Sequence, residues 1–271
     1  MTVVECLEAE GLVYGYTRRL PPVLRGVSLR ACQGEVVAVL GPTGSGKTTL
    51  LFLLAGLLEP WKGEVRLSGR RVGDWARPLI GILFQDPREQ LFNPTVLDEI
   101  AYTLRALGAD DAEEKARRVA ERLGLGGLLD RNPLRLSVGQ QKLVALAAAI
   151  AHEPRVLLLD EPTANLDRRG YMALSRVIRE TVARGGIVVA STHDADFVLE
   201  HAERLYVIDR GRISLQGNTL HLVAKGALEE TPLPIPLGLR LLARQQGWRS
   251  VAEAIARLRE EGGLLGHAAN G

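Results

Sequence analysis

Residues 41–48, with the sequence GPTGSGKT, constrain this chain more than any other segment. They fit the pattern G-x-x-x-x-G-K-[ST], follow the apolar run 36–40 and open a helix predicted over 49–58, which is the context that the pattern requires. The glycines let backbone N–H groups turn inward around phosphate oxygens, and the N-terminus of the helix adds a favourable dipole. The segment therefore predicts a nucleotide-binding site.

The side chains of this segment have separate expected roles. Lys47 is expected to bridge the β- and γ-phosphates, and the Thr48 hydroxyl is expected to ligate Mg²⁺. The residues expected to contact the nucleotide here are Gly41, Pro42, Thr43, Gly44, Ser45, Gly46, Lys47, Thr48 and Thr49.

Two carboxylates, Asp160 and Glu161, follow the apolar run 156–159. Ligands of parallel sheets bind at the carboxyl ends of the strands, so both side chains are expected to face the phosphates. Asp160 fits a partner of Mg²⁺, directly or through water, and Glu161 fits the general base that polarises the attacking water. Standing alone, the pair would be read as the acidic end of a strand; the phosphate-binding segment favours the catalytic interpretation.

Short apolar runs that do not alternate with polar residues predict strands covered on both faces. They lie at 36–40, 65–67, 79–84, 156–159, 187–190 and 205–208. Helices are predicted from 3.6-residue periodicity at 95–108, 110–124 and 137–152. Strands alternating with helices indicate an α/β fold with a mostly parallel sheet. Since no strand is predicted within it, the stretch of about 86–151 is interpreted as an inserted helical subdomain.

The character of the sequence changes near Gly217. Three prolines at 231–236 favour an extended linker, and short helices are predicted at 237–246 and 250–261. The predicted organisation is a nucleotide-binding domain over 1–217 and a small C-terminal helical extension over 218–271.

Composition excludes several classes of protein. The 34 Lys plus Arg against 32 Asp plus Glu give a net charge of +2, without the basic block of a nucleic-acid binder. The most apolar run, 50–58, is far shorter than the roughly 20 residues of a membrane-spanning helix. The first residues lack the features of a secretory signal. Cys6 and Cys32 are too few to form a metal cluster and are predicted to be reduced thiols.

Taken together, these residues resemble the nucleotide-binding domain of ABC transporters, over most of the chain up to about residue 217. Residues 136–140 (LSVGQ) match the family signature LSGGQ, and 164–167 (ANLD) match its D-loop. The resemblance implies a P-loop ATPase core with an N-terminal antiparallel β region. It assigns nucleotide contacts to Ser137, Gly139, Gln140 and Asp167.

The same resemblance assigns three more residues. Gln85 matches the Q-loop glutamine, which the resemblance assigns to the catalytic residues and to the ligands of Mg²⁺. His193 matches the switch histidine, also a catalytic residue, which could donate to the γ-phosphate. Tyr16 matches the aromatic residue that stacks on adenine, with Tyr14 as the alternative. Base–aromatic stacking of this kind contributes roughly 1–3 kcal/mol.

The signature departs from the family pattern at two positions. Val138 stands in place of the first glycine, and Leu143 stands where the family has arginine, with Lys142 beside it. Ser137 and Gly139 are intact, so a working signature is expected. Because the family's signature meets ATP bound to the opposite subunit, the resemblance implies a dimer that encloses two nucleotides.

Residues 84–92 (FQDPREQLF) look like the FQ-[DN]-P-x-x-Q-[LF]-F segment of energy-coupling-factor (ECF) transporters, importers of vitamins and of cobalt or nickel ions. The resemblance implies a peripheral ATPase on the cytoplasmic side of the cell membrane. Its partners would be a transmembrane coupling subunit, a substrate-binding membrane component and a second ABC ATPase chain. Basic residues of the membrane partner are expected to meet Asp86, Glu89, Asp98 and Glu99.

ATP and Mg²⁺ are the expected cofactors, and no nucleic-acid partner is expected. One alternative is the ATPase of another ABC importer or exporter. A soluble ABC-type ATPase of DNA repair or translation is disfavoured, because the sequence has no long coiled-coil insertion, duplicated cassette or basic patch. A P-loop kinase is disfavoured by the signature and by Glu161 beside Asp160.

Overall fold

The structure, a computed structural model, describes residues 5–224. The predicted linker and the two short helices after residue 236 lie outside the described residues. The division of the chain at residue 217 stays a prediction for the same reason.

The described part of the chain alternates strands with helices. The strands are β1 (Cys6–Tyr14), β2 (Leu24–Cys32), β3 (Val36–Leu40), β4 (Lys62–Leu67), β5 (Arg70–Arg71), β6 (Ile80–Leu83), β7 (Val156–Asp160), β8 (Ile187–Ser191), β9 (Arg204–Asp209) and β10 (Arg212–Asn218). The α-helices are α1 (Lys47–Leu54), α2 (Val96–Ala106), α3 (Ala112–Arg122), α4 (Val138–Ile150), α5 (Arg168–Ala183), α6 (Ala195–His201) and α7 (Thr219–Ala224).

A six-stranded sheet forms the centre of the fold, in the order β10-β9-β3-β8-β7-β6. Its strands run parallel except for β10, which pairs antiparallel with β9. Alternate residues of β3 enter different cores: Ala38 faces the side of the helices α2–α6, whereas Val37 and Val39 face α1 and the smaller sheet. Burial on both faces explains the uninterrupted apolar sequence of these strands and confirms the predicted mostly parallel sheet.

A second, antiparallel sheet of four strands has the order β2-β1-β4-β5. It confirms the expected N-terminal antiparallel β region. The prediction that 65–67 is covered on both faces is wrong, because β4 belongs to this sheet. Val65 and Leu67 face the core, while Arg66 between them is partly exposed and pairs with Glu64 at 2.6 Å.

Cys6 and Cys32 form a disulfide bond between β1 and β2. The two residues lie directly opposite each other in the antiparallel register, with their Cα atoms 4.0 Å apart. The prediction of two reduced thiols is therefore wrong. Composition could not show that the strand pairing brings these side chains together.

Only helices and connecting segments lie between β6 and β7. Thr95 caps α2, and its hydroxyl accepts a hydrogen bond from the Asp98 amide, as predicted for a helix that starts there. The three predicted helices are present, each shorter than predicted by one or two residues at both ends. Their treatment as a separate subdomain stays a prediction. No helix between residues 5 and 224 has both the length and the apolar composition needed to cross a bilayer.

Candidate nucleotide site

The loop between β3 and α1 depends on glycine at two positions. Gly41 has φ 156°, and a Cβ atom there would lie 2.3 Å from the carbonyl oxygen of Ile208. Gly46 has φ 105° directly before α1, and a Cβ atom there would lie 2.6 Å from Cδ2 of Leu24. Any larger residue would displace the loop, so the backbone can curl tightly before the helix only with glycine at both positions.

Lys47, the first residue of α1, folds back over this loop. Its Nζ donates to the carbonyl oxygen of Gly41 at 2.8 Å and is 3.3 Å from that of Pro42. The ammonium is therefore held at the mouth of the loop, where it can exchange a carbonyl partner for a phosphate oxygen.

Thr48 and Asp160 connect this loop to the carboxyl end of β7. The Thr48 hydroxyl donates to Oδ2 of Asp160 at 2.6 Å, and the Ser191 hydroxyl donates to Oδ1. The residues present fit a Mg²⁺ ion that arrives with a nucleotide. Mg²⁺ is usually bound by one or two protein oxygens, with phosphate and water oxygens completing the octahedron. In agreement, residues 5–224 contain no cluster of three or more His, Cys, Asp and Glu side chains that could hold a metal alone.

Glu161 and His193 meet beside this pair. Nδ1 of His193 lies 2.8 Å from Oε2 of Glu161, and the Glu161 carboxylate is mostly buried while the His193 ring is exposed. The two residues follow the neighbouring strands β7 and β8, whose parallel pairing aligns Asp160 with Ser191. A carboxylate and an imidazole in contact next to a phosphate site can accept and donate protons.

Tyr14, the last residue of β1, and Tyr16, two residues later, differ sharply in exposure. Tyr14 is buried against Trp61, with ring centroids 6.3 Å apart, whereas Tyr16 is 66% exposed. The Tyr16 hydroxyl lies 3.1 Å from Oγ1 of Thr49 in α1. Of these two rings, Tyr16 is the one that can receive a base.

A cleft of about 300 Å³ collects the residues around the loop. Gln85, which is exposed, lines it together with Tyr16 and the two carboxylates. The full lining is Tyr16, Val23, Thr43, Gly44, Gly46, Lys47, Thr48, Thr49, Gln85, Asp160 and Glu161.

The residues of the predicted signature and D-loop do not line this cleft. Ser137 caps α4: its hydroxyl accepts from the Gln140 amide at 3.3 Å, and Gln140 Oε1 accepts from the Ser137 amide at 3.1 Å. Gly139 lies between them, and Val138 is 46% exposed. Asp167 caps α5 by accepting from the Gly170 amide at 2.8 Å. The start of α4 therefore faces solvent within this chain.

Three polar residues that contribute to the site were not predicted to do so. Ser191 donates to Asp160, and a polar residue directly after the apolar run 187–190 was an available signal. Gln90 fixes the segment after β6 by accepting from the Phe84 amide at 3.1 Å. Lys142 is buried behind Glu161, which the sequence pattern of α4 gave no means to see.

A second groove, of about 490 Å³, lies between β6, α2 and α4. Phe92 and Tyr102 line it, with exposed rings packed edge to face at a centroid distance of 4.9 Å. Other lining residues include Leu57, Arg77, Glu99 and His152. The exposed wall of this groove is therefore largely aromatic.

Three of the four carboxylates expected to meet basic residues of the membrane partner already have partners within this chain, and the expectation itself stays a prediction. Asp86 pairs with Arg88 at 2.8 Å, and hydrogen bonds from the Arg88 side chain and amide lower the pKa of this carboxyl. Asp98 pairs with Arg105 at 3.0 Å.

Glu99, the third, is buried and accepts from the amides of Phe92 and Asn93. Glu89 alone of the four is exposed without a side-chain partner among residues 5–224. It lies in an adjoining cleft rather than in the aromatic groove.

Comparison with known proteins agrees with this geometry. Residues 24–164 match the family model described as ABC transporter. The chain is 38% identical over 254 residues to the energy-coupling factor transporter ATP-binding protein EcfA2 of Symbiobacterium thermophilum, covering 87% of this chain and 88% of that protein.

Two solved structures have the same fold. CbiO1 of Clostridium perfringens, described as part of the ABC transporter complex CbiONQ, is 32% identical with a TM-score of 0.70, covering 88% of this chain and 99% of that one. An ATP-binding cassette solved as a dimer in a post-hydrolysis state, with ADP and Pi bound, is 26% identical with a TM-score of 0.71, covering 78% of this chain and 98% of that one.

Proposed function

This chain belongs to the ABC transporter family, and we propose that it is the ATP-hydrolysing subunit of an importer of the energy-coupling-factor type. The observation that carries the proposal is the pairing of Thr48 with Asp160, which places the phosphate loop beside the carboxylate of Glu161. Phosphoryl transfer needs this combination of positioned phosphates, charge neutralisation and an oriented water.

ATP would lie in the cleft of about 300 Å³. The exposed ring of Tyr16 would stack on adenine, and the amides of residues 41–48 would surround the phosphates. Lys47 would move from its loop carbonyls to the β- and γ-phosphates. Thr48 and Asp160 would hold Mg²⁺ together with Gln85, which lines the same cleft. Bound Mg²⁺ would neutralise phosphate charge.

Glu161 would act as the general base. Its carboxylate accepts the proton of the attacking water, which makes the oxygen a better nucleophile toward the γ-phosphorus. His193, 2.8 Å from Oε2, would keep the carboxylate oriented and reach the γ-phosphate with its other ring nitrogen. The leaving oxygen of ADP then departs in line with the incoming oxygen.

The exposed start of α4 supports a second ATPase chain as partner. Ser137, Gly139 and Gln140 lie at the N-terminus of a 13-residue helix, whose dipole attracts an anion. We infer that these residues, with Asp167, close over the phosphates bound by the partner chain. Each site would then take its loop from one chain and its signature from the other.

The aromatic groove supports a membrane partner. Phe92 and Tyr102 expose a combined apolar surface bounded by Arg77 and Glu99, the type of surface that receives an amphipathic helix. We infer that a cytoplasmic helix of the coupling subunit docks there. This would hold the ATPase at the cytoplasmic side of the cell membrane, where a separate membrane component binds the substrate.

Co-purification tests the assignment. The chain is tagged, expressed in its source cells and isolated from detergent-solubilised membranes, and its partners are identified by mass spectrometry. Two small membrane proteins and an ABC ATPase chain, in a complex that hydrolyses ATP, are expected. Recovery with one large transport permease would instead indicate another ABC transporter, and recovery with nucleic acid would indicate the soluble class.

A further inference from the structure

Lys142 is a charged side chain that is completely buried, with 1% of its surface exposed. Lysine is almost never buried to this degree without a partner. The partner here is a backbone group: Nζ donates to the carbonyl oxygen of Glu161 at 2.7 Å. A buried ammonium therefore lies directly behind the proposed general base.

The backbone of Glu161 has an unfavourable conformation, which contacts with its surroundings must stabilise. Its φ of 44° lies in the left-handed region, which residues other than glycine seldom occupy unless their surroundings impose it. The Glu161 amide donates to the carbonyl oxygen of Ser191 at 2.9 Å, which ties it to β8. The hydrogen bond from Lys142 connects the carbonyl group of Glu161 to α4.

Three carboxylates near Lys142 help to keep its ammonium group in place. Asp160, Glu161 and Asp86 all attract the ammonium, and they belong to the end of β7 and to the segment after β6. Burial acts against these attractions and lowers the pKa of Lys142. The side chain thus connects three segments of the site while touching none of the groups that would react.

We propose that Lys142 is a positioning residue that holds the backbone of Glu161, and thereby aims its carboxylate at the attacking water. This inference rests on the proposed function, in which Glu161 is the base. Since Lys142 lies five residues after the cap Ser137, about 7.5 Å along the helix, movement of α4 reaches Glu161 directly. When the nucleotide bound by a partner chain contacts Ser137, the resulting movement of α4 would change the position of Glu161 in this chain's own site.

The contrasting possibility is that Lys142 only stabilises the fold. Methionine has a volume similar to that of lysine but cannot donate to the carbonyl oxygen of Glu161, and a buried acceptor left without its partner destabilises a fold. Lys142→Met should accordingly melt below the parent while remaining folded at the temperature of the assay. A positioning role predicts that the same variant loses turnover.

The experiment measures kcat and KM for ATP hydrolysis, ATP affinity and melting temperature for the full-length protein. Lys142→Met should lower kcat about tenfold or more, with ATP affinity changed by less than about threefold. Thr181→Val is the matched control, because Thr181 is also buried and its hydroxyl also donates to a carbonyl, that of Val177 in α5. It should leave kcat unchanged. Unchanged kcat in Lys142→Met, or a loss of kcat only in proportion to lost folded protein, would overturn the proposal.

Lys142→Gln is the second variant and decides the matter if Lys142→Met does not fold. It keeps an N–H donor on a shorter side chain without the charge, so its kcat should fall below that of the parent. Parental kcat with a lowered melting temperature would assign Lys142 to stability alone and overturn the proposal.

A double variant separates this inference from the proposed function. If Lys142 acts through Glu161, adding Lys142→Met to Glu161→Gln should cause no further loss in single-turnover hydrolysis. A further tenfold loss would overturn the positioning role while leaving Glu161 as the base. Parental turnover in Glu161→Gln alone would instead overturn the proposed function.

Discussion

Thr48 and Asp160, 112 positions apart in sequence, are joined by a hydrogen bond of 2.6 Å from the threonine hydroxyl to the aspartate carboxylate. Thr48 lies in the first turn of the helix after the phosphate loop, and Asp160 ends a central strand. The two oxygens that would hold Mg²⁺ are therefore in place within a single chain. In the proposed function, the nucleotide and a second chain complete the site.

Removal of the Thr48 hydroxyl should weaken the response to Mg²⁺. Thr48→Ala leaves Asp160 as the one remaining oxygen of the pair, and we expect half-maximal hydrolysis at about 10- to 100-fold more Mg²⁺. Steady-state ATPase rates over a range of Mg²⁺ concentrations measure this. Thr48→Ser keeps the hydroxyl and should respond like the parent. The same Mg²⁺ dependence in Thr48→Ala and the parent would remove Thr48 from the metal site.

Loss of the Tyr16 ring should weaken nucleotide binding without changing the rate of hydrolysis of bound ATP. Stacking on a base contributes roughly 1–3 kcal/mol, so Tyr16→Ala should weaken ATP binding about 5- to 150-fold. Tyr16→Phe keeps the ring and should bind ATP like the parent, which calorimetry can establish. If Tyr16→Ala binds as tightly as Tyr16→Phe, the ring does not carry the base.

Truncation of Phe92 should affect assembly and spare basal hydrolysis. Aromatic anchors at the centre of an interface often contribute 2 kcal/mol or more, so Phe92→Ala should lower the yield of the membrane complex about tenfold at limiting concentration. Leu107→Ala is the control, because Leu107 is also an exposed apolar residue of this region but does not line the groove. Equal yields from both variants would contradict docking in the aromatic groove.

The bond between Cys6 and Cys32 should contribute to thermal stability. It closes a loop of 26 residues, for which chain entropy predicts about 3 kcal/mol. For a domain of this size, Cys32→Ser should then melt about 6–12 °C below the parent.

Reduction of the parent should produce the same fall in melting temperature, and reductant should not shift the variant further. A count of two accessible thiols in the denatured but unreduced protein would show that the bond is absent.

The central sheet and the phosphate loop were predictable from sequence for a physical reason. Strands buried on both faces must be continuously apolar, as β7 and β8 are, and a loop that wraps phosphate must contain glycine where Gly41 and Gly46 stand. Both requirements are local, so they leave a local pattern.

Features that depend on contacts between distant segments left no such pattern. Lys142 is a charged residue in a helix that is otherwise mostly apolar. Only the packing of this helix, α4, shows that the Lys142 ammonium binds the carbonyl oxygen of Glu161. Asp98 and Glu99 were read as surface charge because sequence does not reveal the arginine and the amides that already engage them. The pairing of Cys6 with Cys32 likewise follows from strand register rather than from spacing.

The rate of ATP hydrolysis by Glu161→Gln tests the proposed mechanism most directly. Glutamine keeps the shape of the side chain but cannot accept the proton of water, so single-turnover hydrolysis should fall at least about 100-fold. ATP binding should persist, and a long-lived ATP-bound dimer should accumulate in size-exclusion chromatography. Hydrolysis at the parental rate, with no accumulated dimer, would contradict the role of Glu161 as the base.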